Sequence, residues 1–103
     1  MNSDDLEEFE AEREHKLAQE YQDVVSMFRY AVETERRFYL ANTVSVNVTG
    51  DGARPLIEVE MTDAWVWDMY RKTRFIPRVR VLSFKDVNVE ELPSEDLLGP
   101  DPL

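Results

Sequence analysis

The apolar residues of this chain change their spacing near Phe28, and this change restricts the fold more than any other feature. Before it, apolar residues recur every three or four positions, as Leu17, Tyr21 and Val24 do, which is typical of one face of a helix. The acidic residues that precede them suit the positive end of a helix dipole. The pattern predicts one amphipathic helix from about residue 4 to about residue 27.

The beginning of this helix has less to bury. Leu6 and Phe9 are apolar, but Ala11 is the only apolar residue between Phe9 and Leu17. A helix packs on the core through an apolar stripe, and a segment without apolar residues has no apolar surface to bury there. We therefore expect the first two turns to extend beyond the core.

After Phe28 the sequence alternates between apolar and polar residues, which is the two-residue period of a half-buried strand. One parity carries the apolar residues Phe38, Leu40, Val44, Val46 and Val48. The stretch "TGDGARP" then holds two of the three glycines of the chain and predicts a hairpin loop.

The return strand alternates in the same way, with an inward face that begins at Ile57, Val59 and Met61. If the strand continues without interruption, Asp63 lies on this inward face together with Trp65 and Trp67, which we expect to add bulk to the core. A buried carboxylate must be paired or protonated, and such groups mark functional sites. The simpler interpretation places Asp63 at a bulge or turn, where it caps backbone N–H groups or pairs with an arginine.

A further strand begins near residue 78 and directs Arg78 and Arg80 outward. If it pairs with the return strand, these arginines face Glu58 and Glu60 across the ladder. The apolar parity then slips twice, which indicates bulges or a strand that changes partners.

Together these patterns predict an α+β fold: a long N-terminal amphipathic helix packed on an antiparallel sheet of three or four strands. Residues 1–92 are expected to form a single domain, which the chain length of 103 residues allows. Residues 93–103 contain three prolines, a glycine and three acidic residues, and predict a flexible acidic tail.

The sequence lacks the residues that several kinds of catalytic and metal-binding chemistry require. Without cysteine there is no thiol nucleophile, disulfide or thiolate metal site, and the single histidine, His15, lies on an acidic helix. The glycines form no phosphate loop, and no serine lies in a nucleophile motif. We therefore expect no enzyme activity, no cofactor, no metal site and no small-molecule ligand, with a carboxylate- or metal-dependent hydrolase as the enzymatic alternative.

The sequence also predicts a cytoplasmic protein without a membrane partner. No apolar run approaches the ~18 residues of a membrane-spanning helix. The acidic N-terminus is the opposite of a signal or transit peptide.

Charge is distributed unevenly along the chain, whose net charge is −10. Residues 1–23 hold nine acidic and two basic side chains, and residues 90–103 hold five acidic and no basic ones. Residues 24–89 hold ten basic against eight acidic side chains. We define the basic–aromatic set as the residues of this middle region that are available for binding: Arg36, Arg37, Tyr70, Arg71, Lys72, Arg74 and Phe75.

The basic–aromatic set has two interpretations. It can hold the acidic helix of the protein itself, as an internal clamp, or it can bind a partner. Cations beside aromatic rings are typical of surfaces for single-stranded RNA or DNA. Because both acidic ends repel nucleic acid, whereas exposed aromatic residues suit a protein interface, we predict a protein partner and keep single-stranded nucleic acid as the alternative.

Three segments carry a resemblance to a known family: "VETERRFYLAN", "DAWVWDMYR" and "FKDVNVEEL", which follow a helix ending in "EYQDVV". In this order they resemble small actinobacterial proteins grouped as domain of unknown function 2469, over about residues 4–92. The resemblance implies a cytoplasmic bacterial protein and no particular reaction, cofactor or catalytic residue. The sequence as a whole predicts a small accessory or adaptor protein that acts by protein–protein binding.

Overall fold

A computed structural model of the chain describes residues 3–93, so the predicted tail lies outside the described residues except for Pro93. The chain begins with one long helix and a short 3₁₀ turn, and continues as strands. In order, the elements are α1 (Ser3–Val24), the 3₁₀ turn (Val25–Met27), β1 (Tyr30–Glu33), β2 (Phe38–Asp51), β3 (Arg54–Val66), β4 (Phe75–Ser83) and β5 (Asn88–Glu91).

Within residues 3–93 the strands form one antiparallel sheet of five strands, in the order β4–β3–β2–β1–β5. The predicted α+β fold, with one N-terminal helix on an antiparallel sheet, is confirmed. The expected strand number of three or four is too low, because β1 and β5 have four residues each and are too short for a period to show.

The turns that connect the two short strands, β1 and β5, to the rest of the sheet contain neither glycine nor proline. Between β1 and β2, the Thr34 hydroxyl accepts hydrogen bonds from the backbone N–H groups of Arg36 and Arg37. After β4, the Ser83 hydroxyl accepts one from the N–H of Lys85, and the chain then leaves β3 to pair with β1. The second parity slip therefore marks a change of strand partner, one of the two predicted explanations.

The glycine-containing hairpin is confirmed between β2 and β3. Asp51 accepts hydrogen bonds from the N–H groups of Ala53 and Arg54 at 3.0 and 2.9 Å. Gly50 has a φ of 87°, and a Cβ there would lie 2.5 Å from the Arg54 carbonyl oxygen. The turn therefore requires glycine at this position.

The helix packs through the stripe that the sequence predicts. Leu17 and Val24 are 2% and 7% exposed, and Tyr21 contacts three aromatic rings, those of Phe38, Trp65 and Trp67. Residues 5–16 include no buried side chain, so the first turns of α1 extend beyond the core as expected. No helix within residues 3–93 is long and apolar enough to cross a membrane.

The described residues form two apolar clusters on opposite faces of the sheet. Leu40 and Trp65 pair across β2 and β3 and belong to the cluster under the helix. Their neighbours Ala41 and Ala64 also pair, and belong to the second cluster. Met61 has the same parity as Trp65 and yet lies in the second cluster. Since neighbouring residues of a strand point to opposite faces, the alternation of β3 is interrupted between Met61 and Ala64.

Asp63 is the residue at which β3 reverses its faces. Its φ is 49°, in the left-handed region that few residues other than glycine adopt. The expectation that Asp63 continues the inward face is therefore wrong, because the reversal leaves its side chain exposed. It lies at an irregularity of the strand, as the simpler interpretation held, but its carboxylate caps no backbone N–H among residues 5–93.

The same reversal affects β2. Leu40 packs under the helix, whereas Val44, of the same parity, packs against the second cluster. Val46 and Val48 were expected inward but are exposed. Because β1 pairs only with Phe38–Ala41, this part of β2 is an edge strand that has β3 as its single neighbour. Trp65 and Trp67 lie under the helix, which confirms that the tryptophans add bulk to the core.

The predicted pairing of the last long strand with the return strand is confirmed. Arg80 stands opposite Glu60, and Arg78 stands opposite Thr62. Arg80 binds Glu58 on the diagonal through two hydrogen bonds of 3.0 and 3.1 Å. The polar face of this end of the sheet is thus stabilised by cross-strand charge pairing, as the sequence indicated.

Candidate partner-binding cleft

The loop between β3 and β4 is fastened to α1 by Arg74. The guanidinium donates from Nε to Oε1 of Glu20 at 2.7 Å and from Nη2 to Oε2 of the same carboxylate. Trp65 also donates its indole N–H to Glu20, at 2.7 Å. One carboxylate on the helix therefore holds both a buried core residue and the loop.

This ion pair is electrostatically favourable to both partners. The hydrogen bond from Arg74 lowers the pKa of Glu20 below its ordinary value of 4.5, against the opposing effect of burial. The same bond raises the pKa of Arg74. For this member of the basic–aromatic set, the geometry is that of the internal clamp.

Two further contacts hold the loop against the exposed part of the helix. Arg13 donates from Nη1 to the Met69 carbonyl oxygen at 3.0 Å, and the Tyr70 hydroxyl donates to Glu10 at 3.3 Å. Arg13 also lies over the ring of Phe9, 4.8 Å from its centre. Because Glu10, Arg13 and Glu20 lie three and seven residues apart along one face of α1, the loop follows the helix axis.

A cleft of about 350 Å³ opens between the helix and the loop. We name it the basic cleft, and its lining residues are Arg13, Lys16, Leu17, Met69, Tyr70, Arg71, Lys72 and Arg74. Among these described residues five are cationic and none is acidic. The protein as a whole carries a net charge of −10, so the concentration of positive charge is local.

The helix contributes two cations that the sequence reasoning did not assign to the site. Arg13 and Lys16 were counted only as the two basic residues of an acidic segment. A signal was present, since Lys16 and Leu17 follow Arg13 by three and four residues and therefore share its helix face. Leu17 packs this face of the helix onto the core, so Arg13 and Lys16 on the same face lie toward the loop.

The cations of the basic cleft differ in how far their charge is already neutralised. Arg74 is bound to Glu20, and Lys16 lies 3.8 Å from Glu12 in a pair that is exposed on both sides. Arg71 donates from Nε to the Thr73 carbonyl oxygen, which carries no formal charge. Within residues 5–93, neither Arg71 nor Lys72 forms an ion pair. Arg13 forms no ion pair there either, but its guanidinium already contacts the Met69 carbonyl oxygen and the Phe9 ring. Arg71 and Lys72 are therefore the cations most available to an anionic partner.

Arg36 and Arg37 lie in the turn between β1 and β2. Arg37 reaches Asp68 of the loop at 3.8 Å, which brings it beside the basic cleft. Burial raises the pKa of Tyr39, while the charges of Arg37 and Arg71 oppose this rise, so both guanidiniums lie near the same phenol. Arg36 lines a different depression, together with Arg37, Arg80 and residues 81–84.

Phe75, the last member of the basic–aromatic set, stacks on Phe28 with ring centres 6.5 Å apart. It does not line the basic cleft, because it begins β4 beyond the loop. The structure thus places Tyr70, Arg71, Lys72 and Arg74 together, brings Arg37 beside them, and separates Arg36 and Phe75 from them.

The hydrolase alternative requires several of the carboxylates Glu58, Glu60, Asp63, Asp68 and Asp86 to converge on one metal ion. Within residues 5–93, no three histidine, aspartate or glutamate side chains are placed to hold one metal ion. Asp68 instead accepts a hydrogen bond from the backbone N–H of Tyr70 at 3.1 Å, and thereby shapes the loop.

The Glu20–Arg74 pair predicts a dependence of stability on pH. Because the pKa of Glu20 is lowered by folding, its contribution is fully present above about pH 4.5 and is lost as the pH falls through the lowered pKa. We expect Glu20→Gln to cost about 1–2 kcal/mol at pH 7 and progressively less toward pH 3. Urea unfolding at pH 7, 5, 4 and 3 measures this difference.

Glu12→Gln is the matched control for this experiment. Glu12 is exposed and lies 3.8 Å from Lys16, so its loss should change stability little at any pH. If Glu20→Gln cost the same at pH 7 and pH 3, the ionised carboxylate would not be what holds the loop.

Comparison with known proteins identifies relatives over nearly the whole chain. The sequence model of a family described as "Protein of unknown function (DUF2469)" matches residues 1–100. Uncharacterized proteins of Mycobacterium tuberculosis and Mycobacterium bovis are each 50% identical over 101 residues, covering 98% of this chain and 100% of each relative. No solved structure matches the chain.

Proposed function

The chain belongs to this family of proteins of unknown function, as the resemblance of its segments indicated, and we propose that it is a non-enzymatic accessory protein that binds an acidic segment of a partner protein. The basic cleft is the binding site, and Arg71 and Lys72 are its principal anion ligands. A cytoplasmic location is part of this proposal, as the resemblance to the family implied.

The observation that carries this proposal is the composition of the basic cleft, with five cations and no acid among its described lining residues. Like charges brought together by folding repel one another, and an anionic ligand relieves that repulsion. Arginine binds a carboxylate through two parallel hydrogen bonds, which gives such a contact both strength and direction. Tyr70 is 62% exposed at the cleft and supplies an aromatic anchor of the kind that protein interfaces favour.

The surroundings of the basic cleft favour a short acidic peptide over nucleic acid. The exposed part of α1 that borders the cleft carries glutamates at positions 7, 8, 10, 12 and 14. A nucleic acid backbone extends its charges beyond any one cleft and would meet these carboxylates, whereas a few side-chain carboxylates would not. A single-stranded nucleic acid is therefore the alternative, and the same experiment tests it.

Reversing two charges, with Arg71→Glu and Lys72→Glu together, should strongly weaken the binding of acidic peptides while leaving the fold intact. We expect affinity for a labelled hexaglutamate peptide to fall by more than about 10-fold, since two ion pairs are lost and repulsion is added. Fluorescence anisotropy measures the binding, and the thermal unfolding midpoint should stay within a few degrees. Arg74 is left unchanged because its reversal would break the Glu20 pair.

The control is a variant with Arg54→Glu and Arg78→Glu, which has the same change in net charge away from the basic cleft. It should bind hexaglutamate nearly as well as the wild-type protein. Equal loss in both variants would mean that net charge alone governs binding. Tighter binding of a hexanucleotide than of hexaglutamate would favour the nucleic acid alternative, and absence of binding to either would contradict the proposal.

A further inference from the structure

A second cavity, of about 280 Å³, lies where the 3₁₀ turn meets β2, β3 and β4. We name it the apolar pocket, and its lining residues are Met27, Phe28, Asn42, Asp63, Ala64, Phe75, Ile76 and Pro77. It shares no lining residue with the basic cleft among the described residues. Its lining residues are apolar except for Asn42 and Asp63.

The Asp63 carboxylate is not explained by the fold. The reversal of β3 requires a residue that tolerates positive φ, and glycine or asparagine meets this requirement without a charge. Among residues 5–93 the carboxylate forms no ion pair and accepts no hydrogen bond. A non-glycine residue held in a sparsely populated backbone region is a recurrent property of functional sites.

Two of the residues that line the apolar pocket are aromatic. Phe28 and Phe75 stack with ring centres 6.5 Å apart and an interplanar angle of 25°. Phe75 and Met27 are 47% and 59% exposed, so large apolar surfaces face solvent at this pocket. Aromatic faces attract cations as well as apolar groups, and a nearby carboxylate adds to that attraction.

We propose that the apolar pocket binds a primary amine that carries an apolar group. The ammonium pairs with Asp63 at the rim, and the apolar group packs against Met27, Phe28 and Phe75. The Asn42 amide oxygen offers a second acceptor for the ammonium. The same chemistry is present in a free arylalkylamine and in a polypeptide whose first residue is hydrophobic, and this site is independent of the function proposed for the basic cleft.

A direct test compares 2-phenylethylamine with 2-phenylethanol, which has the same ring but no charge. Isothermal titration calorimetry and two-dimensional NMR with the full chain measure the affinities and locate the shifted resonances. We expect the amine to bind about 10-fold more tightly than the alcohol, with shifts at Phe28, Asp63 and Phe75. Asp63→Asn should remove this preference and leave the affinity for the alcohol unchanged.

Asparagine also tolerates the left-handed backbone, so Asp63→Asn removes the charge while retaining the strand reversal. Asp63→Gly is a second charge-removing variant that suits the backbone, and should behave alike. Asp86→Asn, which neutralises an exposed carboxylate elsewhere, is the control and should bind as the wild type does. Equal affinity for amine and alcohol, an unchanged preference after Asp63→Asn, or no saturable binding would each overturn the proposal.

The two sources of the amine are distinguished with short peptides. A tripeptide with N-terminal phenylalanine is compared with its acetylated form, which has the same ring and no ammonium. If the free peptide binds more tightly than 2-phenylethylamine, and the acetylated peptide does not, the site recognises a polypeptide N-terminus. If the amine binds more tightly than both peptides, the ligand is a free amine.

Discussion

Replacing Val24 with aspartate should unfold the domain or lower its free energy of unfolding by about 4–5 kcal/mol. Val24 is 7% exposed and belongs to the cluster that includes Leu17, Phe28 and Trp65. A carboxylate at this position would be buried without a partner, and the helix would leave the sheet to hydrate it. Since domains of this size have about 5–15 kcal/mol of stability in total, the loss approaches complete unfolding.

Far-ultraviolet circular dichroism and urea unfolding measure this effect, with Glu12→Lys as the control. Glu12 lies on the exposed part of the same helix, and its side chain is 70% exposed. Its substitution should change the free energy of unfolding by less than about 0.5 kcal/mol. If Val24→Asp were as mild as Glu12→Lys, the helix would not be docked along the Leu17–Tyr21–Val24 stripe.

Replacing Trp65 with alanine should have the second largest effect, a loss of about 3–5 kcal/mol. Trp65 has no exposed surface and is the largest fully buried side chain among the described residues. Its ring lies 5.8 Å from that of Tyr21 and 6.0 Å from that of Trp67, between the helix and the sheet. The substitution removes these contacts, leaves a cavity, and deprives Glu20 of the indole donor.

Two other variants separate the effect of the lost apolar volume from the effect of the lost indole N–H on the free energy of unfolding. Trp65→Phe keeps most of the apolar volume but removes the indole N–H, so it should cost less than alanine and should loosen the contact with Glu20. Phe84→Ala removes an aromatic side chain that is 73% exposed and should cost less than about 0.5 kcal/mol. Urea unfolding that gave equal losses for Trp65→Ala and Phe84→Ala would place Trp65 outside the core.

The stability of the core and the proposed binding at the basic cleft are connected through Glu20. This residue binds Trp65 on one side and Arg74 on the other, so one carboxylate links the core to the loop that carries Arg71 and Lys72, in addition to the contacts of Arg13, Tyr70 and Arg37. Binding of an acidic peptide should therefore weaken when Glu20 is neutralised, although Glu20 does not line the cleft.

The alternative interpretations of the basic–aromatic set correspond to different residues of one loop. Arg74 points at the helix and has the geometry of an internal clamp, whereas the neighbouring Arg71 and Lys72 lack an ion pair within residues 5–93. One short segment can therefore fasten itself to the helix and still present two cations. Its role in binding a partner is tested by the charge-reversal experiment.

The sequence by itself determined the parts of this fold that depend on a repeating pattern. The stripe of Leu17, Tyr21 and Val24 predicted the helix and its buried face, because a helix can bury only one side. Alternation and the glycine-containing loop predicted the β2–β3 hairpin in the same way. Parity also predicted that the acidic residues of β3 and the arginines of β4 share one face of the sheet, and Arg80 binds Glu58 on that face.

The tertiary structure decided those features of the fold and of the basic cleft that leave no repeating pattern in the sequence. A single residue with a left-handed backbone, Asp63, exchanges the two faces of β3, so that the apolar residues before and after it pack on opposite sides of the sheet. The sequence shows no sign of this, because apolar and polar residues continue to alternate on either side of Asp63. The strands β1 and β5 are too short to establish a period. The basic cleft likewise depends on the approach of a loop to a helix more than fifty residues away, and Coulomb interaction depends on that distance in space. For this reason Arg13 and Lys16 joined the site only when the helix was placed beside the loop.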